Sequence, residues 1–113
     1  MTAGGRDQLV AIERNEPIEN ARGDMVDNWV PVTRAWARVI FGRGSERRQA
    51  AREQVVQAAT FIVLSDVRTR AVSADDHRII HNHAVWDVVA PGVANSKGEI
   101  EFDTRRAGMG SAN

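Results

Sequence analysis

Hydrophobic and polar residues alternate along several short segments of the chain, which is the pattern of β-strands with one buried face. The longest such segment is Trp29–Phe41, in which Ala37 and Val39 share one face. Trp36 and Arg38 share the opposite face. Shorter strands are predicted at residues 8–13, 61–72, 77–81, 84–89 and 99–103.

A helical pattern separates the strands predicted at residues 29–41 and 61–72. Ser45 can accept hydrogen bonds from the free donors of a first helical turn, and Glu46 suits the positive end of a helix dipole. These signals predict one α-helix over residues 46–59, lying across the barrel mouth or against a neighbouring subunit. Its apolar stripe is thin and consists of Ala51, Val55, Ala58 and Ala59.

Turn-forming residues mark the connections between strands. Residues 15–28 contain Pro17, Gly23 and several acids, which predicts a long loop or a hairpin connection, poorly ordered over residues 16–27. A turn is predicted at residues 73–76, a tight reversal at Asn82 and His83, and a polar loop at residues 93–98. The termini, residues 1–7 and 108–113, are expected to be loose.

Taken together, these elements predict a mainly β domain over residues 1–113. About six strands form a small antiparallel β-barrel or sandwich, with one α-helix inserted between the central strands. Trp86 alternates with apolar neighbours and is expected in the core. The other residues expected to fill the barrel are Val39, Phe41, Ile62, Leu64, Val85, Val88, Ile100 and Phe102.

The composition of the chain excludes several classes of protein and site. The chain has 113 residues and no cysteine, which excludes disulfides and thiolate metal sites. It has no apolar run long enough for a membrane span and no signal-peptide pattern at Met1. Its formal net charge is zero, which weighs against a dedicated duplex-DNA binder. Lys97 is the one lysine; the many arginines reflect either ion pairing at subunit interfaces or codon bias.

Two clusters invite a chemical interpretation, and neither supports one. His77, His81 and His83 are spaced poorly for a metal site, because a turn at Asn82 would separate them. The acid pairs, Asp75 with Asp76 and Glu99 with Glu101, lie in a turn and on the polar face of a strand, where solvated carboxylates are expected. We therefore predict no catalytic residue, no metal, no cofactor and no enzymatic activity.

Interface residues are the remaining candidates. Trp36 lies on the same strand face as Arg34 and Arg38, and tryptophan and arginine are prominent in binding hot spots. The predicted helix supplies the other candidates, which are Glu46, Arg47, Arg48, Arg52 and Glu53.

Several short motifs follow one another in a particular order along the chain. They are Asn28-Trp29, Trp36-Ala37-Arg38-Val39, Gly44-Ser45-Glu46, Val67-Arg68, Asp76-His77-Arg78-Ile79 and Ala84-Val85-Trp86-Asp87-Val88. This order resembles the head–tail joining (head-closure, stopper or neck) proteins of tailed bacteriophages over about three quarters of the chain. His83 stands where that family usually has glycine, and Thr69 where it usually has an aromatic residue.

This resemblance implies a structural virion component that forms a ring below the portal or adaptor protein. Such a ring would seal the packaged DNA in the head and dock the tail protein. The implied partners are other copies of the chain, the portal or adaptor, a tail protein and, without sequence specificity, the DNA in the channel. No membrane contact is implied. The expected location is the head–tail connector of the virion, reached from the host cytoplasm during assembly.

Two other functions remain open at this point. The first is the related tail-completion or tail-terminator protein, which shares the same barrel. The second is a small nucleic-acid-binding barrel, which salt-sensitive DNA binding by the monomer would favour. Its basic patch would consist of Arg34, Arg38, Arg47, Arg48 and Arg52.

Overall fold

The computed structural model describes residues 5–42 and 57–107, and within them it contains nine β-strands and one short 3₁₀ helix. The strands are β1 (Gln8–Asn15), β2 (Ile18–Glu19), β3 (Met25–Val26), β4 (Trp29–Phe41), β5 (Ala58–Leu64), β6 (His77–His81), β7 (Ala84–Val88), β8 (Val93–Ala94) and β9 (Glu99–Arg106). The 3₁₀ helix is Thr69–Ala71. No helix in these two ranges is long and apolar enough to cross a membrane.

Six strands close into an antiparallel barrel in the order β5, β4, β1, β6, β7, β9. The closure is made by β9, which pairs with β5 from Ala58↔Arg105 to Leu64↔Glu99. The short strand β8 pairs with the start of β9, and β2 pairs with β3 as a separate hairpin. This architecture confirms the predicted mainly β, six-stranded antiparallel barrel.

The core lies inside the barrel, where alternate residues of each strand point inward. Phe61 and Phe102 face each other across β5 and β9 and have no exposed surface. Ile12 and Ile79 pair in the same way across β1 and β6 and are also fully buried. Trp86 is buried, as predicted, with its ring 5.7 Å from that of Phe61.

Two predicted core residues are instead exposed. Leu64 is 54% exposed because it follows the fully buried Val63 and points to the outer side of β5. Phe41 is 44% exposed because it ends β4 at the barrel mouth, where its ring lies 5.8 Å from that of Trp86. Val39 and Val85 are half-buried.

Ile62, Val88, Ile100 and Phe102 are buried as predicted. Ile62 nevertheless lies outside the main core cluster, because it pairs between Arg38 and Glu101 on the outer side of the sheet.

The predicted strand at residues 61–72 ends early, at Leu64. The carboxylate of Asp66 accepts hydrogen bonds from the backbone N–H groups of Arg68 and Thr69, at 2.9 and 2.8 Å. The Thr69 hydroxyl donates to the carbonyl of Leu64 at 3.0 Å. These local bonds offer the backbone an alternative to a sheet ladder, and the chain turns into the 3₁₀ helix instead.

The helix predicted at residues 46–59 falls mostly outside the described residues. Its end is wrong, because Ala58 and Ala59 belong to β5 and pair with Arg105 and Thr104 of β9. The backbone N–H of Gly42 donates to the carbonyl of Ala58 at 3.0 Å. The chain therefore leaves β4 and re-enters β5 at one place on the barrel mouth.

Several turns follow their local chemistry. Asn82 and His83 both have positive φ, at 51° and 65°, which confirms the tight reversal between β6 and β7. Pro31 lies at an irregularity in the β1–β4 ladder, where a backbone that lacks an N–H donor is tolerated. Two strands extend the predicted pattern: β8 forms inside the predicted polar loop, and β9 continues to Arg106.

Candidate assembly surface

The outer side of β1 and β4 carries exposed apolar side chains beside arginines. Trp36 is 57% exposed and lies directly opposite Leu9, which is 44% exposed. We call this surface the Trp36 face and define it by Leu9, Arg34, Trp36, Arg38 and Ile40. Large apolar residues exposed together on a rigid sheet are typical of a protein-binding surface.

The two arginines of the Trp36 face differ in their environment. Arg34 is exposed, pairs in register with Ala11, and makes no ion pair within residues 5–42 and 57–107. Arg38 is less exposed, and its Nη2 lies 3.8 Å from Oε1 of Glu99. Arg34 is therefore the guanidinium most available to a partner.

Glu99 anchors a polar cluster at the edge of the Trp36 face. Its side chain is held by Arg6, by Arg38 and by the Nδ2 of Asn95, which lies 3.0 Å from Oε1. The hydrogen bond from Asn95, followed by the hydrogen bond and charge of Arg6 and the charge of Arg38, holds the pKa of Glu99 below its ordinary value. The cluster is a preformed ionic site that ties β4, β9 and the residues before β1 together.

This cluster corrects two sequence predictions. Glu99 is 5% exposed, so it is not a solvated carboxylate on a polar face. The ion pair of Arg6 with Glu99 also ties that part of the predicted loose terminus, residues 1–7, to the barrel. The predicted tail at residues 108–113 and residues 1–4 lie outside the described residues.

The β2–β3 hairpin is the second unusual surface. Its turn is built on Asn20, whose Oδ1 accepts from the backbone N–H groups of Arg22 and Asp24 at 2.9 and 3.0 Å. Its base is tied to the barrel by Asn15, whose Nδ2 donates to Asp27 at 3.0 Å and whose Oδ1 accepts from the Asn28 N–H at 2.9 Å. The exposed apolar residues of the hairpin are Ile18, Met25 and Val26.

The three histidines have separate environments. His77 contacts Asp76, with Nδ1 2.7 Å from Oδ1, while His81 lies beside Gln8, with Nε2 3.1 Å from Oε1. Burial lowers the pKa of His81 below its ordinary value, which favours the neutral ring. His83 is exposed in the turn. Within the described ranges, no group of three or more His, Cys, Asp or Glu residues could hold a metal ion.

Of the predicted interface residues, three are brought together on the Trp36 face: Arg34, Trp36 and Arg38. The other five lie outside the described residues: Glu46, Arg47, Arg48, Arg52 and Glu53. Leu9 also lies on this face but was not predicted, although the alternation along residues 8–13 places it on the side of β1 opposite to that of the buried Val10. The apolar side chains of the hairpin were not predicted as a surface either, because residues 15–28 have the composition of a polar loop.

Comparison with known proteins gives a family. Residues 1–108 match the sequence model of the phage head completion protein. The chain belongs to the phage head completion protein family. A search of curated proteins gave no match. As a member of this family, the protein is a structural component of the phage virion, at the junction of head and tail.

Solved structures share the fold of this head completion protein. The solution structure of protein SF1141 from Shigella flexneri 2a superposes with a TM-score of 0.69 at 14% identity, covering 96% of this chain and 99% of that chain. A chain in the virion of a native gene transfer agent particle superposes with a TM-score of 0.60 at 17% identity, covering 89% of this chain and 94% of that chain. At such identities the likeness concerns the fold.

Proposed function

We propose that this head completion protein forms a ring below the portal or adaptor protein, closes the DNA-filled head and presents a docking surface to the tail. It acts by contact alone, without catalysis or a cofactor. The family match supports this proposal, as does the structural likeness to a chain from a gene transfer agent virion. Subunits would be recruited from the host cytoplasm during assembly.

The observation that carries the proposal is the exposure of Trp36 on a closed barrel. An indole with 57% of its surface exposed, beside Leu9 and between two arginines, is a typical anchor for a protein partner. Ring contacts are head-to-tail, so two different surfaces of the chain must be complementary. Apolar anchors with a charged rim supply such complementarity.

The segment at residues 43–56 supplies a second element of the proposal. The chain leaves and re-enters the barrel at Gly42 and Ala58, which are joined by a backbone hydrogen bond. We propose that residues 43–56, between these two positions, belong to the assembly contacts with the channel or a neighbouring subunit. Changing Arg48 and Arg52 together to Glu should then impair assembly while the barrel melts normally.

The isolated protein is expected to be a monomer or a weak oligomer that forms its ring only on the partner. A contact made by a few exposed apolar side chains with polar, mixed-charge residues around them is individually weak. Sedimentation at micromolar concentration should show mostly monomer. A tight obligate dimer would contradict this expectation.

A matched pair of variants tests the proposed function. Trp36→Glu places a charge on the Trp36 face, whereas Val89→Glu places one just beyond β7, which is three strands from β4 in either direction around the barrel. Both residues are exposed, so both variants should melt close to the wild type. Trp36→Glu should leave heads that lose DNA or lack tails in electron micrographs, and Val89→Glu should assemble normally. Normal assembly by a folded Trp36→Glu protein would refute the role of this face.

A further inference from the structure

We infer that, in the proposed ring, the β2–β3 hairpin of each copy packs onto the Trp36 face of the next copy. The inference rests on the proposed function, since it requires that a ring exists. In this contact the hairpin of one copy is the inserted element, and the Trp36 face of the next copy is the surface that receives it.

Residues 16–27, which were predicted to be poorly ordered, form the β2–β3 hairpin without burying its apolar residues. Ile18 and Met25 are 51% and 66% exposed, and neither contributes to the barrel core. Each of its strands has only two paired residues, which is too little for a hairpin to be stable on its own. Hydrogen bonds of Asn20 at the tip and of Asn15 at the base support its turn and its junction with the barrel. A preorganised apolar arm loses little entropy when it binds a partner.

The negative charge of the hairpin indicates which surface of the neighbouring copy it would contact. Residues 16–27 contain four carboxylates and one arginine, which is Arg22. Within the described residues, Glu19 and Asp24 make no ion pair. The Trp36 face offers the opposite combination, with exposed apolar side chains beside the guanidinium of Arg34, which makes no ion pair within residues 5–42 and 57–107. Apolar residues on both surfaces and opposite charges beside them are the complementarity that a head-to-tail contact needs.

The topology prevents the contact from being satisfied within one copy. The hairpin begins after Asn15, at the end of β1 opposite Trp29, while Leu9 and Trp36 lie toward the other end of the same strand pair. Both surfaces are exposed at once in the same chain. A donor and an acceptor at separate places on one chain generate a ring when the rotation between copies closes.

The absence of cysteine from the chain allows a direct test by site-directed cross-linking. Ala21→Cys places a thiol at the tip of the hairpin, and Ala11→Cys places one opposite Arg34 at the edge of the Trp36 face. Both substitutions are small and keep every apolar and charged residue that the contact uses. The matched control combines Ala21→Cys with Ala94→Cys, which is exposed on β8.

Particles assembled with the Ala21→Cys/Ala11→Cys protein are treated with a short bis-maleimide and separated under denaturing conditions. A ladder of covalent oligomers is expected, because each copy is joined to two neighbours. The reaction should be on the order of a hundredfold faster than in dilute free protein, since proximity raises the effective thiol concentration to about the millimolar range. The Ala94→Cys control should give no ladder.

The alternative results separate the two proposals. If electron microscopy of the same particles shows a ring and the cysteine pair gives no ladder, the hairpin inference is overturned and the ring stands. If the particles contain no ring of this chain, the proposed function fails as well. Dimers from Ala21→Cys alone would show tip-to-tip contact, and cross-links to another virion protein would assign the hairpin to that protein; either result overturns the inference.

A charge exchange provides a second measurement. Arg34→Glu alone and Asp24→Arg alone should each lower the yield of tailed particles about tenfold, which corresponds to about 1.4 kcal/mol of lost contact. The double variant restores an opposite-charge pair and should recover most of the yield. If the two single losses of yield simply multiply in the double variant, the two positions act independently. That result would contradict the pairing of these surfaces.

Discussion

At the scale of single residues, Asp66 shows how one side chain redirects the backbone. The apolar sequence on either side of it predicts continued strand, yet its carboxylate binds two backbone N–H groups and starts a 3₁₀ helix. These hydrogen bonds, led by that from Thr69, also hold the pKa of Asp66 below its ordinary value. An aspartate followed by threonine three positions later is the sequence signal that could have revealed this turn.

Asp66→Ala should lower the free energy of unfolding by about 1 kcal/mol, which is typical for the net loss of an intramolecular hydrogen bond. Chemical denaturation at neutral pH measures the change. Val67→Ala, at the neighbouring exposed position, is the control and should change stability by less than about 0.5 kcal/mol. Equal stability of the two variants would show that the carboxylate does not hold the turn.

Gly92 is the residue where the barrel allows no side chain. A Cβ at this position would lie 2.6 Å from the ring of Phe102 and 2.7 Å from a side-chain carbon of Ile100. Gly92→Ala should therefore destabilise the protein by about 1–3 kcal/mol, the range for overpacking a core. Val93→Ala, next to it and exposed, should be nearly neutral in the same thermal-melting experiment. A neutral Gly92→Ala would show that Phe102 and Ile100 move aside freely.

At the scale of elements, strand alternation predicted β4 to the residue and located β1, β6, β7 and β9. The alternating pattern does not predict a strand that forms only because a distant strand pairs with it. Strand β8 exists because Val93 and Ala94 pair with Glu101 and Ile100, and no local pattern indicates that. The candidate assembly surface was also predictable only in part. Alternation along β4 places Arg34, Trp36 and Arg38 on one face. The burial of Glu99 could not be predicted in this way, because its partner Arg6 is distant in sequence.

The hairpin provides the test at this scale. Asn20→Ala removes the acceptor for the backbone N–H groups of Arg22 and Asp24. The amides of residues 18–26 should then exchange with solvent faster, while the melting temperature changes little, because β2 and β3 lie outside the barrel. Hydrogen exchange followed by NMR reports on the amides of the hairpin and of the barrel in one experiment. Slower or unchanged exchange in the hairpin would mean that strand pairing alone orders it.

At the scale of the whole molecule, the barrel depends on several groups that acidification disturbs. Burial lowers the pKa of His81, so between its folded and unfolded values the unfolded chain binds more protons. Stability is therefore full above pH ~6.5 and falls as pH drops below it. The pKa values of Asp66, Asp76 and Glu99 are also lowered, so their contributions are present above pH ~4 and are lost below it.

We predict that the free energy of unfolding decreases from pH 7 to pH 5, with a slope of at most about 1.4 kcal/mol per pH unit from His81. His81→Gln keeps a hydrogen-bonding side chain beside Gln8 and should flatten this part of the profile. Equal slopes in the variant and in the wild type would place the titration elsewhere.

Cryo-electron microscopy of the assembled particle tests directly whether this chain forms a ring through its Trp36 face. We predict a ring of these barrels at the base of the head, with Trp36 and Leu9 buried against the neighbouring copy. A particle in which the Trp36 face remains exposed to solvent, or in which the chain is present without forming a ring, would contradict it.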